Sequence, residues 1–287
     1  METDRKRLGV EMNFIANCKQ IIKKLINLLG YELVTIKKFQ LLIQTSELRD
    51  IIQRWTHDSV PTDLSLFVIN NSGFFPRISQ RQQDFLALWI NAKVERSERF
   101  FVEFGATDGI SYSNTFLLEK QFGFDGILAE PGKENHRRLH TNRNVAISHQ
   151  AVWSESNLRI NFLESQNSEY STLSGFQDMD QLSKLRANSH EYEVDTISLE
   201  DLLVEYDAPR HISYLSIDTE GSEYEIIKKF NFDLYSFGFI SIEHNFTANR
   251  ELIYDLLFKS GYRRVLTEIS QFDDWYVPEP SEHYFLV

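Results

Sequence analysis

The stretch Phe100-Phe101-Val102-Glu103-Phe104-Gly105-Ala106-Thr107-Asp108-Gly109 decides the fold. An apolar run carries an acid near its end, then a glycine turn with a second glycine four residues on. About twenty residues later, Gly126-Ile127-Leu128-Ala129-Glu130-Pro131 reads as a second short strand ending in a carboxylate. In a nucleotide-binding α/β domain, the first turn lets a ligand approach the backbone closely. The acid closing the second strand takes ribose hydroxyls.

The first turn lacks the G-x-G-x-x-G of a dinucleotide fold. It reads E-x-G-x-x-x-G over Glu103, Gly105 and Gly109. That spacing suits S-adenosylmethionine, a nucleoside with no pyrophosphate to cradle. Candidate cofactor contacts are therefore Glu103, Gly105, Thr107, Asp108 and Gly109 at the first strand end and Glu130 with Pro131 at the second. Near Gln150-Ala151-Val152, at the end of the third strand, a backbone amide is placed to meet the adenine edge.

Around this core the pattern alternates strand and helix. Strands are expected over 100–105, 126–130, 144–152, 159–163, 212–217 and 237–243, and helices over 79–91, 112–121, 133–140, 222–229 and 248–259. A further helix starts at Ser198, whose hydroxyl is its cap. Two last strands, 262–269 and 274–278, follow one another with no helix between and form an antiparallel edge pair. The Ser-, Gln- and Asp-rich segment 168–188 reads as a loop or lid. Alternating β and α segments predict a mostly parallel sheet with helices on both faces.

Residues 1–78 read as an N-terminal helical extension and 79–287 as the cofactor-binding domain. Apolar residues from Phe14 to Leu29 fall on one helical stripe that Gly30 ends, and shorter helices are expected over 36–43 and 46–55. The stripe packs on the domain or a second subunit, or lies on a membrane surface with Lys19, Lys23 and Lys24 towards anionic lipid.

Composition narrows the field. The net charge is −12, which argues against nucleic acid as a partner, because phosphate binding needs a basic footprint. Residues 1–60 carry ten Lys and Arg against seven Asp and Glu, and the rest carry twenty against thirty-five. A single cysteine, Cys18, excludes a disulfide framework. No secretory signal is read, and no apolar run approaches the ~20 residues that cross a bilayer. The expectation is a cytoplasmic protein.

Two acidic groups follow later strands. Ser216-Ile217-Asp218-Thr219-Glu220-Gly221-Ser222-Glu223 places Asp218 at a strand end, with Glu220 and Glu223 at the start of the next helix. Ile240-Ser241-Ile242-Glu243-His244-Asn245 ends the following strand in a carboxylate and an imidazole. Asp218, Glu243 and His244 form the candidate catalytic set. The same three are candidate ligands for Mg²⁺ or Mn²⁺, since an alcohol nucleophile needs a general base or a metal ion.

These motifs, with Ser113-Asn114-Thr115, Leu118-Glu119, Asn142-Arg143 and Ala151-Val152, resemble the FkbM-type S-adenosylmethionine-dependent methyltransferases from about residue 79 to 277. The resemblance implies a class I, Rossmann-like methyltransferase fold with a seven-stranded sheet. It implies O-methylation, with sugar hydroxyls of glycans and glycolipids or polyketide hydroxyls as acceptors. It implies that Glu103, Gly105 and Asn114 hold the methionine end of the cofactor, that Glu130 holds the ribose, and that Asp218, Glu243 and His244 face the acceptor. The alternatives are methylation of a nitrogen or carboxylate, and a non-catalytic glycan-binding or scaffold domain.

Overall fold

The computed structural model describes residues 46–94, 98–165, 167, 170–176 and 189–287. The helices expected over 10–29 and 36–43 lie outside them. The chain divides into two compact units, Met1–Gln53 and Arg54–Val287. Helix α1 (Ser46–Trp55) runs across that boundary and has the bounds the sequence predicts. Helix α2 (Thr62–Phe74) was not read from the sequence, and α3 (Gln83–Lys93) starts four residues later than expected.

The core sheet then begins. The elements run β1 (Phe100–Phe104), α4 (Phe116–Phe122), β2 (Asp125–Ala129), α5 (His136–Asn142), β3 (Ala146–Ser148) and β4 (Ala151–Trp153). Next come β5 (Arg159–Glu164), β6 (Thr172–Leu173), β7 (His190–Ser198), α6 (Leu199–Glu205), β8 (His211–Ile217) and α7 (Glu223–Ile227). The chain closes with β9 (Ser236–Glu243), α8 (Asn249–Lys259), β10 (Tyr262–Val265), α9 (Thr267–Ser270), β11 (Asp273–Pro278) and a 3₁₀ helix, Glu279–Phe285. Ser198 caps α6 as predicted, its hydroxyl accepting the Asp201 N–H.

The seven-stranded sheet has the order β10-β11-β9-β8-β1-β2-β3. Strands β3, β2, β1, β8 and β9 pair in parallel, while β11 runs antiparallel to both neighbours. The sheet is thus mostly parallel but mixed. The two last strands do pair with each other, but β11 lies inside β10, against β9. A short helix, α9, separates them, and β10 stops at Val265 rather than at 269.

The strand expected over 144–152 is two strands. The chain leaves the main sheet after Ser148, and β4 joins a second sheet of order β4-β7-β5-β6. Strand β7 was missed, although His190-Glu191-Tyr192-Glu193-Val194-Asp195-Thr196 alternates charged and less polar residues as a half-exposed strand does.

Both faces of the main sheet are covered, so β8 and β9 read as nearly continuous apolar runs. One face stacks Tyr214 on Phe239, ring centroids 4.9 Å apart, and α3 packs against β9 and β8. At the far end of that layer, Trp55 stacks on Trp275 and donates its indole N–H to Gln82.

Polar groups interrupt this layer in one connected string. Glu103 lies beside Ser216 in the parallel register, and Ser216 beside Ser241. The Glu103 carboxylate accepts the Asn114 N–H at 2.7 Å and the hydroxyls of Ser113 and Thr115. The Arg143 guanidinium, fully buried, lies 3.5 Å from Glu103 and 2.5 Å from Glu119. It also donates to the Gly109 carbonyl and to Ser113 and Thr115. These bonds fix the loop between β1 and α4.

Removing the arginine leaves the buried Glu103 carboxylate without a counter-charge, a change that costs about 3–5 kcal/mol. Arg143→Ala should lower the unfolding free energy in a urea titration by that order. Wild-type stability would show that other groups organise the loop.

Candidate active site

Parallel strands open a crevice at their carboxyl ends where neighbouring connections diverge. Here β1 is that point, because the chain passes from it to β2 on one side and returns to β8 on the other. A cavity of about 380 Å³ lies there, a size that suits a small-molecule ligand.

Ten of the thirteen residues singled out in the sequence line this cavity. They are Glu103, Gly105, Thr107, Asn114, Glu130, Pro131, Ala151, Val152, Asp218 and Glu243. Gly105 is where backbones come closest. Its φ is +75°, and a Cβ there would sit 1.9 Å from the carbonyl oxygen of Asp218. The first glycine therefore lets the β1 and β8 turns touch.

Glu130 is buried, and backbone amides hold both its oxygens. Thr107 N–H donates at 2.8 Å and Gly132 N–H at 2.7 Å. Burial still pushes its pKa up to about 7, with the nearby Glu164 adding to the rise. The cavity wall beside it is made by Ala129, Pro131, Gln150, Ala151 and Val152. A largely apolar wall with one fixed acid fits a nucleoside.

Glu103 and Asn114 line the cavity, but their polar groups point into the fold. Besides the bonds to Glu103, the Asn114 amide donates to Ser216 and its oxygen accepts from Ser79. Asp108 and Gly109 do not reach the cavity. Asp108 accepts the N–H groups of Ile110 and Ser111 and so builds the turn, while Gly109 donates its N–H to Ala106.

Asp218 and Glu243 are brought together as expected. Ile217 and Ile242 are register partners across β8 and β9, so the next residue of each strand meets the other. One carboxylate oxygen of each acid lies within 4.8 Å of one of the other's. Burial, and then the Asp273 charge, pushes Asp218 up to about 7. Burial, and then the Asp218 charge, pushes Glu243 well above the usual carboxylate range.

His244 is not with them. Alternation at the end of β9 turns it from the cavity towards β11, where its Nε2 lies 3.7 Å from Asp274. Its Nδ1 accepts the Phe246 N–H, and burial lowers its pKa, so the ring is neutral. Glu220 takes the place expected for His244: carboxylate oxygens of Asp218, Glu220 and Glu243 all lie within 4.8 Å of one another. Glu220 has φ +58°, which folds the turn back on itself. Glu223 instead accepts the N–H groups of Thr219 and Gly221 at the helix start.

Tyr170, an aromatic residue suited to stacking on a sugar ring, and Asn245, in the β9-end motif, do line the cavity, whereas sequence reasoning also missed Gln80, Tyr112, Phe162 and Phe272 there. They come from separate loops and strands, and no local pattern joins them.

The methyltransferase FkbM domain matches residues 103–275 of this chain. The chain belongs to the FkbM methyltransferase family. A crystal structure of an FkbM methyltransferase from Methylobacillus flagellatus is similar over 80% of this chain and 57% of that one, with 15% sequence identity and a TM-score of 0.42. The chain thus spans little more than half the length of that protein. No curated protein matches it significantly. Among the described residues, no helix is long and apolar enough to cross a membrane.

The Gly105 contact yields a direct test. A side chain there meets both a positive φ and a backbone clash. Gly105→Ala should lower the thermal midpoint clearly, by several degrees for a loss of about 1–2 kcal/mol. An unchanged midpoint would contradict the close approach.

Proposed function

We propose that this methyltransferase uses S-adenosylmethionine, on a class I, Rossmann-like core, to methylate a hydroxyl group, with a sugar as the acceptor class. One observation carries the reading. The acid expected for the ribose, Glu130, and the paired acids Asp218 and Glu243 open onto the same cavity, on either side of Gly105.

In this reading Glu130 accepts the ribose hydroxyls, and Pro131, Ala151 and Val152 flank the nucleoside. Gly105 and the loop pinned by Glu103 and Asn114 shape the space for the amino-acid end. When bound, the cofactor supplies an electrophilic methyl carbon, which the acceptor oxygen takes as sulfur leaves with the bonding pair. The acids at the ends of β8 and β9 hold the acceptor hydroxyl and receive its proton. Raised pKa values make them stronger bases than ordinary carboxylates. Holding the two reactants in line supplies much of the rate, on the order of 7–11 kcal/mol.

The acceptor class follows from charge and shape. No Lys, Arg or His lines the cavity among the described residues, whereas Asp218, Glu220 and Glu243 do. Such a wall repels carboxylate and phosphate acceptors. It suits a neutral polyol, which Tyr112, Tyr170 or Phe272 can face with an aromatic ring. The acids also favour a second reading, in which an amine is methylated. An amine acceptor loses its proton without help from Asp218, so turnover that survives Asp218→Asn favours the amine.

Calorimetric titration with S-adenosylhomocysteine tests the cofactor. Micromolar binding to the wild type and at least tenfold weaker binding to Glu130→Ala are expected. Affinity should rise as pH increases through about 7, because the ribose hydroxyls need the ionised form of Glu130. Absent binding, or affinity indifferent to Glu130, would sink the assignment. Asp218→Asn should keep that affinity and lose about a hundredfold or more in turnover on a hydroxyl acceptor.

A further inference from the structure

We propose that Asp218, Glu220 and Glu243 form a site for one hard divalent cation, Mg²⁺ or Mn²⁺, in the wall of the cavity. The ligand set differs from the one the sequence suggested, since Glu220 stands in for His244. Three carboxylates and no nitrogen or sulfur donor select hard cations that prefer oxygen.

Geometry brings the three together from two strand ends. Asp218 follows β8, Glu243 ends β9, and Glu220 returns from the turn before α7. Their oxygens lie within 4.8 Å of one another. Around an octahedral ion with oxygens at about 2.1 Å, neighbouring ligands are about 3 Å apart and opposite ones about 4.2 Å. Small side-chain adjustments therefore close the set on an ion.

A second observation points to a ligand. Glu243 is 8% exposed and lines the cavity, yet its Oε2 atom has no hydrogen-bond partner. A buried carboxylate oxygen left unpaired costs free energy, because water has been removed and nothing replaces it. A cation at this point satisfies it and offsets the mutual repulsion of three acids. Three protein ligands leave about three positions of an octahedral shell for water or an acceptor oxygen. Use of those positions in catalysis rests on the methyl-transfer reading, whereas cation binding stands without it.

Titration of the full chain with Mn²⁺, followed by the electron paramagnetic resonance signal of the free ion, tests the site. The wild type should take up one Mn²⁺ per chain. Glu220→Gln and Glu243→Gln should each weaken uptake at least tenfold, and His244→Gln should leave it unchanged. Mg²⁺ in excess should release the bound Mn²⁺. The proposal is overturned if the wild type leaves Mn²⁺ free both with and without S-adenosylhomocysteine. It is also overturned if a folded Glu220→Gln/Glu243→Gln double variant binds like the wild type. Should the variants fail to fold, a wild-type thermal midpoint that does not rise with Mn²⁺ overturns it equally. Calorimetry with S-adenosylhomocysteine on the same sample separates the two ideas. Cofactor binding without Mn²⁺ uptake removes the cation site alone, and Mn²⁺ uptake without cofactor binding removes the methyl-donor reading alone.

Discussion

A carboxylate buried in the middle of the sheet is the constraint on which the rest depends. Glu103 sits in β1, a strand buried on both faces, where an unpartnered charge would be intolerable. The chain satisfies it with the loop that follows: Ser113, Asn114 and Thr115 turn back to donate to it, and Arg143 arrives from the end of α5. That loop thereby acquires a fixed path over the strand end. Gly105 can then press against the Asp218 carbonyl, and Thr107 can present its N–H to Glu130. The acid expected to grip the ligand instead shapes the wall of the cavity.

The cavity is costly in electrostatic terms. Glu130 and Glu243 are buried in its wall, Asp218 is half-buried there and Asp273 is buried nearby, and desolvation holds all four above their usual range. Only some have compensating donors. Glu130 has two backbone amides, and Asp273 has the Gln83 amide at 2.6 Å. Glu243 Oε2 has none. Concentrated, poorly compensated charge of this kind marks a functional site more often than a structural one.

Much of the core was legible in the chain because the central strands of the main sheet are buried on both faces and end in punctuation. Gly105 and Gly109 end β1, Pro131 follows β2, and Asp218 with Gly221 follows β8. Where those signals were weak the reading failed. The expected strand 144–152 holds a polar break, Ser148-His149-Gln150, and that is where the chain changes sheets. Strand β7, inside the second sheet, is half charged and so lacked the apolar density of the core strands. At the strand ends, Asp218, Glu130 and Glu243 do line one cavity, because register is decided by burial. The same alternation sends His244 away, and expecting both faces of one strand end to meet in the cavity was the error. Glu220 was recognisable only through a backbone turn with positive φ, which sequence spacing does not fix.

The central claim is that the crevice at β1 and β8 is the cofactor site and that its two ends differ in role. A crystal structure with S-adenosylhomocysteine tests it most directly. The account predicts ribose hydroxyls on the Glu130 carboxylate, adenine against Val152, and the sulfur turned towards Asp218 and Glu243. A ligand bound elsewhere on the chain, or lying in the cavity with its ribose away from Glu130, would contradict it.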